Sequence, residues 1–338
     1  MKAFVLREVK SPLVAEQRPD LRPGPQQVVV RLHAAAVNRR DYWITQGLYP
    51  GIEPPIVLGS DGVGVVTQTG AGVGNYWTGR EVIINPGFGW GDDPRCQAEN
   101  FRILGLPDDG TFATEVLAPV SQLHLRPEHL TLEEAAALPL AGVTAFRATF
   151  VQGGLQPGET VLISGAGGGV ATFALQYAVA AGATAWVTSS SAEKIRRAVE
   201  LGAAGGVNYR DDGWEQRLAA CCAPDLIIDS AGGPGYAALL NAAGPGARIV
   251  NYGATAGPPP KLDLFKVFWK QLRIQGTTMG SPADFAAMLR FVEQHRIRPL
   301  IDRVLPLEQV NDALQLMERS PQFGKLVLDC RDDAPVNR

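Results

Sequence analysis

The sequence predicts an α/β protein in which a doubly wound parallel sheet follows a compact, mostly β unit. Three observations carry this reading. After Glu133, apolar strands recur at roughly two-dozen-residue intervals, the spacing of parallel βαβ units. A glycine-rich turn, Gly165-Ala166-Gly167-Gly168-Gly169, stands directly between the first of these strands and a helix-like stretch. Residues 1 to about 121, by contrast, are short apolar runs broken by Gly and Pro, with little helical periodicity. The chain has 338 residues, and at ~100–200 residues per domain that length suits two domains, each able to bury a core.

In the first part the clearest strands are 28–32, 63–66 and 81–84, separated by turns at Pro23-Gly24-Pro25, Pro54-Pro55 and Asn85-Pro86-Gly87, because Pro fixes the backbone and Gly permits conformations other residues avoid. The parallel strands are expected at 160–164, 184–188, 207–209, 226–229, 248–252 and 272–276. The intervening stretch 171–181 is apolar almost all round, as a buried helix is. Near the end, Phe285, Met288, Leu289 and Val292 form one apolar stripe at helical spacing and Leu307, Val310, Leu314 and Met317 another. Such stripes are core contacts. Gly257-Pro258-Pro259-Pro260 reads as a stiff surface loop.

Composition narrows the function classes. The net charge of −3 with 46% apolar and 19% charged residues gives no electrostatic reason to expect nucleic acid or an anionic membrane as partner. No apolar run approaches the ~18 residues of a membrane span, and Lys2 and Arg7 interrupt any signal-peptide core. Cys96, Cys221, Cys222 and Cys330 form no disulfide framework, so a soluble cytoplasmic protein is expected. The histidines, His33, His124, His129 and His295, show no metal-ligand spacing and read as surface or packing residues.

The turn after the first parallel strand is the sharpest local signal. Small residues let the backbone approach a pyrophosphate, and the following helix start offers unpaired N–H groups and a positive dipole end, so Ala166, Gly168, Gly169 and Val170 are candidate cofactor contacts. Glycines also serve plain turns; the position at the head of six strands favours nucleotide binding. An NAD site places a carboxylate at the end of the second strand to accept from the ribose 2′-hydroxyl. This chain has Ser189-Ser190-Ser191 there, followed by Lys194, Arg196 and Arg197. Hydroxyls and cations suit a 2′-phosphate, which favours NADP(H), although at least one of Arg196 and Arg197 belongs to a solvated helix face.

The order of domains and motifs resembles the medium-chain dehydrogenase/reductase superfamily from Met1 to about Asp329. The matching stretches include 36–41 (Ala-Val-Asn-Arg-Arg-Asp), 58–64 (Leu-Gly-Ser-Asp-Gly-Val-Gly), 109–113, 139–145, the glycine-rich turn and 323–327 (Phe-Gly-Lys-Leu-Val). The resemblance implies a GroES-like β domain at 1–125 and 280–338 and a Rossmann domain at 126–279. It also implies a homodimer, made by pairing the edge strand at 272–276 with its copy across a two-fold axis.

Departures from the pattern bear on the chemistry. Zinc alcohol dehydrogenases of this superfamily hold a catalytic metal with a Cys, a His-Glu pair and a second Cys. The matching positions here are Asn38, Ser60-Asp61 and Leu140, and Asn and Leu cannot replace thiolates. Arg40 stands where the zinc enzymes carry a proton-relay hydroxyl. Between Asn85 and Gly110 only Cys96 remains of a structural-zinc lobe, with Leu104 where the last ligand would fall. No zinc is therefore expected. The chain is similar to the zinc-free branch, which holds quinone oxidoreductases and enoyl reductases, and to a zinc-type alcohol-dehydrogenase-like subgroup with the same Asn-x-Arg-Asp and Gly-Ser-Asp-Gly patterns.

Without a metal, hydride transfer rests on positioning and on donors for developing negative charge. The segment from Asn38 to Tyr49 resembles the family stretch that borders the nicotinamide. Asn38 is expected to orient a carbonyl or the carboxamide, and Tyr49 matches a tyrosine that supplies the proton in enoyl-reductase relatives, with substrate contact or packing as its other readings. Trp43 and Tyr42 wall the pocket or pack in the core. The resemblance assigns Thr144 to the nicotinamide side, Ser189, Lys194 and Tyr209 to the adenosine phosphate, and Ser230, Tyr252 and Gly253 to the strand ends where the cofactor crosses; Lys325 joins them from the returning segment. Asp41 and Asp61 are expected as buried partners of Arg residues, Asp61 above all. The expectation is an NADP(H)-dependent, zinc-free reductase of a quinone, enone or other conjugated carbonyl. Reversible alcohol/aldehyde dehydrogenation and a non-catalytic NADP(H)-binding sensor are its rivals.

Overall fold

The computed structural model describes residues 1–331 as two compact units, Met1–Ala141 with the segment from Gly280 onward, and Gly142–Met279. The segment 126–141, expected with the nucleotide-binding domain, groups with the first unit. Its helix Leu132–Ala137, capped reciprocally by Thr131 and Glu134, packs its buried alanines in the first unit, against Gln27–Val37 and Asp61–Thr69. Among the described residues no helix is long and apolar enough to cross a membrane.

In the first unit the long strand Gln27–Val37 is the spine of a seven-stranded sheet. It pairs antiparallel with Asp61–Thr69 on one side, and on the other with Glu115–Pro119 at its start and Lys325–Asp329 at its end. Lys325–Asp329 pairs parallel with Ile301–Pro306. The inward residues are continuously apolar, with Val28, Val30, Leu32, Ala35 and Val37 in one core cluster with Leu326, Leu328 and Leu314. Both predicted C-terminal stripes are buried as expected: Phe285, Met288, Leu289 and Val292 on the helix Pro282–Gln294, and Leu307, Val310, Leu314 and Met317 on the segment ending in the helix Val310–Arg319.

The second unit is a six-stranded parallel sheet in the order Gly205–Asn208, Thr184–Ser189, Thr160–Ile163, Leu226–Asp229, Arg248–Asn251, Arg273–Gly276. This is the doubly wound order, with the switch point between Thr160–Ile163 and Leu226–Asp229, where ligands bind beyond the strand ends. The third strand starts two residues earlier than expected, at Gly205, because two glycines fit flat against Trp186 and Val187, where an added Cβ would fall 2.5–2.9 Å from their side chains. The edge strand Arg273–Gly276 is exposed along its length, and the helix Leu264–Trp269 before it presents Leu264, Phe265, Phe268 and Trp269 to solvent.

Candidate active and cofactor sites

In the second unit the first parallel strand ends in a turn built from conformations that only glycine takes readily. Gly165 (φ 72°) and Gly167 (φ 104°) are left-handed. Thr188 on the neighbouring strand fixes the turn, its hydroxyl accepting from Gly165 N–H (3.2 Å) and its carbonyl from Ala166 N–H (2.8 Å). The helix Gly169–Ala180 follows with Gly168 as a cap that lacks a side chain, so the N–H groups of its first turn have no intrahelical or side-chain acceptor. A Cβ placed on Gly168 would come no nearer than 3.7 Å to any atom, which leaves the backbone open to a ligand. Open backbone, orphan donors and a positive helix end fit the pyrophosphate of a dinucleotide.

The neighbouring strand ends are held by Asp229, which is 1% exposed. One of its oxygens accepts from Ser164 Oγ (2.5 Å) and Ala231 N–H (3.2 Å), the other from Gly232 N–H (2.9 Å) and Asn251 Nδ2 (3.1 Å). Sequence reasoning passed over this carboxylate, whose signal was an acidic residue closing an otherwise apolar strand. Ser230 follows directly and hydrogen-bonds Tyr252; burial first, and Asp229 as a further cause, push the Tyr252 phenol up to about 12, so it remains a neutral group. Thr144 is buried, with its hydroxyl 3.9 Å from Met279 Sδ. At the second strand end, Ser189 is buried with its Oγ accepting from Ser191 N–H (3.1 Å), while Tyr209 is 46% exposed and donates its N–H to Ser189 O (3.3 Å). Ser191 caps the helix Ala192–Glu200 by accepting from Lys194 N–H, and Arg196 lies on the solvated face, paired with Glu193 (2.6 Å) and Glu200.

In the first unit the residues at the zinc-ligand positions come together around an ammonium. Lys325, 3% exposed, donates to Asn38 Oδ1 (2.6 Å) and Asp61 Oδ2 (3.1 Å). Asn38 Nδ2 donates to the same Asp61 oxygen (2.9 Å), and Asp61 Oδ1 accepts the Leu140 N–H (2.8 Å). The expected partner of Asp61 was an arginine; its partner is Lys325. The reason is topological, since Lys325–Asp329 pairs with the end of Gln27–Val37 and brings its first residue beside Asn38 and Asp61. Asn38 was expected to offer its amide to a ligand, yet both ends of that amide are engaged within the protein, with Ala36 O at 3.5 Å as a further acceptor.

Arg40 does not pair with Asp61 either. Its Nη1 donates to Ser60 Oγ (2.7 Å) and Leu104 O (3.0 Å), and its guanidinium lies 5.1 Å from the centre of the Tyr49 ring. Asp41 is fully buried at the start of the helix Arg39–Thr45, accepts from Asn38 N–H (2.8 Å), and has Arg40 Nη1 at 4.0 Å. Burial pushes its carboxyl up to about 6, opposed by Arg40 and the Asn38 N–H. Trp43 is half-buried with its ring 5.5 Å from that of Tyr42, whose hydroxyl donates to Glu318 (3.0 Å).

The metal test is a matter of donor chemistry. A zinc ion needs about three converging N, S or O ligands, whereas these positions supply a carboxamide oxygen and one carboxylate already turned to an ammonium. Leu140 contributes only a backbone N–H that itself donates to Asp61. The residues do not fit a catalytic zinc. Among the described residues no group of three or more His, Cys, Asp or Glu gathers elsewhere.

A dinucleotide-binding α/β unit joined to a β unit with a buried polar cluster defines the class of two-domain, nucleotide-dependent oxidoreductases. The chain belongs to the medium-chain dehydrogenase/reductase superfamily: residues 24–128 match the alcohol dehydrogenase GroES-like domain and residues 169–294 the family described as zinc-binding dehydrogenase. It is 37% identical over 328 residues to the zinc-type alcohol dehydrogenase-like protein YogA of Leptosphaeria maculans, covering 91% of each chain. It is 28% identical to the acryloyl-coenzyme A reductase of Sulfurisphaera tokodaii, covering 97% of this chain and 99% of that one. Its structure matches the crystal structure of an NAD-dependent alcohol dehydrogenase with a TM-score of 0.92 and 38% identity, covering 97% of this chain and 99% of the other.

Proposed function

We propose that the protein is an NADP(H)-dependent, zinc-free reductase of conjugated carbonyl compounds, with enals, enones and quinones as the substrate class. The observation that carries the reading is the Asn38–Asp61–Lys325 cluster, a buried lysine–carboxylate pair bridged by an amide, at the positions that zinc-dependent relatives use for metal. When bound, NADPH supplies two electrons as hydride. Ala166, Gly168, Gly169 and Val170 hold its pyrophosphate through backbone N–H groups, while Thr144, Ser230, Tyr252 and Gly253 position the nicotinamide half. Ser189, Ser190, Lys194 and Tyr209 receive the 2′-phosphate with hydroxyls and a cation where an NAD site would carry a carboxylate. Tyr49, held under the Arg40 guanidinium, or water supplies the proton, and Trp43 lies flat against the conjugated system. The acryloyl-coenzyme A reductase relative, named for a conjugated thioester, supports this substrate class.

A second reading, NAD-dependent alcohol and aldehyde interconversion, is favoured by the names of the structural match and of a 30% identical relative from Sulfolobus acidocaldarius. Steady-state oxidation of NADPH and NADH against a quinone, an enal and a saturated aldehyde separates the two. The expected result is enal and quinone reduction with NADPH that survives a strong chelator, in protein carrying no stoichiometric zinc. Near-molar zinc lost together with activity on chelation, or turnover confined to NAD and simple alcohols, would overturn it. Tight NADPH binding without turnover of any substrate would leave a sensor. We further propose a cytoplasmic homodimer, with the exposed edge strand Arg273–Gly276 as its seam.

A further inference from the structure

We propose that Cys221 and Cys222 form a vicinal dithiol site that captures trivalent arsenic compounds, as arsenite or an organic arsine oxide. The inference is independent of the reductase reading and uses residues that reading leaves idle. The pair ends the helix Trp214–Cys222. Consecutive helical residues point about 100° apart, so adjacent side chains do not ordinarily meet. At this helix end both turn back over the preceding turn, with Leu218 O 3.3 Å from Cys221 Sγ and 3.4 Å from Cys222 Sγ. The two sulfurs are thereby brought within 3.3 Å of each other. Cys221 is exposed, and Cys222 is half-buried against the core cluster that contains Leu218 and Leu240. A thiol pair rooted on one side and open on the other is a preformed chelate.

The surroundings narrow what the pair can hold. Adjacency disfavours a disulfide: consecutive Cα atoms stand ~3.8 Å apart, inside the ~4.4 Å that unstrained bridges need, so the pair stays a dithiol. A zinc or cadmium ion needs further N, S or O ligands. Among the described residues no group of three or more His, Cys, Asp or Glu gathers to supply them. Such an ion must also displace both thiol protons. Burial first, then the hydrogen bond and charge of Cys221, push the Cys222 thiol up to about 12, which makes that displacement costly near neutral pH. Trivalent arsenic needs only two sulfurs, and it brings its own third substituent and its own proton acceptor.

The chemistry balances without a redox partner. An arsine oxide, R–As=O, condenses with both thiols: two As–S bonds form, the As–O bond breaks, and the two thiol protons leave with that oxygen as one water. Arsenic remains trivalent, and neither sulfur is oxidised. No net proton is released, so a thiol held in its neutral form does not oppose binding. The second As–S bond is intramolecular once the first has formed, and such linkage raises affinity by roughly 100-fold to 10,000-fold over one thiol alone. The exposed Cys96, which stands alone in the first unit, forms only the first bond.

The test uses the full-length reduced protein with phenylarsine oxide as the probe, read by native mass spectrometry. The expected result is one phenylarsenic group gained per chain with the loss of two hydrogens. That adduct should survive excess 2-mercaptoethanol and be removed by 2,3-dimercaptopropanol, and arsenite should compete for the same pair. Cys221→Ser and Cys222→Ser should each weaken binding on the order of 100-fold or more, while Cys96→Ser leaves it unchanged. Melting temperatures check that the variants fold; Cys221 is exposed, so Cys221→Ser decides the matter should Cys222→Ser fail to fold. An unmodified protein whose adduct does not withstand the monothiol overturns the proposal, as does a folded Cys221→Ser that keeps it. Stoichiometric cadmium that displaces the probe at neutral pH overturns the choice of ligand.

Discussion

At the scale of single residues, the cofactor preference is the assignment most directly testable by substitution. A 2′-phosphate brings nearly two negative charges, and a charge-assisted hydrogen bond to it contributes ~1.5–3 kcal/mol, roughly tenfold to a hundredfold in affinity. Lys194→Ala should weaken NADPH binding by about that factor and leave NADH almost unchanged. Ser189→Asp should shift preference towards NADH, since a carboxylate repels phosphate and accepts from a ribose hydroxyl. Fluorescence titration of both cofactors decides it, and equal weakening of both by Lys194→Ala would refute the assignment. Asp41 makes a second prediction. Its carboxyl is raised from 3.8 to about 6 by burial, with Arg40 and Lys325 opposing and Asp61 adding to the rise. A carboxyl raised on folding favours the native state when protonated, so its contribution is complete below pH 3.8 and lost as pH rises through 6. Relative to Asp41→Asn, the unmodified protein should therefore gain roughly 2–3 kcal/mol of stability between pH 7.5 and pH 4. Denaturant titrations across that range check the sign; a constant difference would contradict it.

At the scale of elements, local pattern was a good guide wherever one segment decides its own structure. The strand 226–229 coincides with Leu226–Asp229, and the two C-terminal stripes are the buried faces of their helices. The polar cluster was legible only by half. Asn38 and Leu140 stood out as unable to replace zinc's thiolates, and the resemblance named Lys325 as a cofactor contact, but its pairing with Asn38 and Asp61 spans 287 residues, and no periodicity announces a pairing over that distance. The helix Leu264–Trp269 was also not anticipated. It is six residues long, and its exposed aromatic side chains give no amphipathic signal pointing to a core. Just beyond it, Lys270 places its ammonium on three carbonyls at the end of the helix Tyr236–Ala242, those of Leu240 (3.0 Å), Asn241 (2.8 Å) and Ala243 (2.7 Å). A cation there satisfies orphan carbonyls and complements the negative helix end. Lys270→Met keeps the aliphatic packing and removes the donors, so thermal unfolding should show a loss of ~1–3 kcal/mol. An unchanged melting temperature would mean that water replaces the ammonium at no cost.

For the molecule as a whole, the unpaired edge of the parallel sheet is the feature that most invites a partner. Among the described residues Arg273–Gly276 is paired on one side only, by Arg248–Asn251, and Ile274 is 40% exposed. An edge strand with open backbone groups is stable against aggregation when a symmetric copy closes it. Sedimentation at micromolar concentration should give a dimer, and Ile274→Glu, which sets like charges across the axis, should shift it towards monomer. A monomer in the unmodified protein would count against this seam.

The first unit has a consequence for how the protein is made. Its sheet is begun by Gln27–Val37 and finished by Lys325–Asp329, strands from opposite ends of the chain. A ribosome adds ~5–20 residues each second, so the early strand waits many seconds for its last neighbour, while every strand of the parallel sheet has already been synthesised. Asp61 waits with it, and its carboxylate gains a countercharge only when Lys325 leaves the exit tunnel. The nascent chain therefore has every strand of its parallel sheet before the sheet of the first unit can close. A polypeptide cut short before Lys325 lacks both the closing strand and the cation that pairs with Asp61.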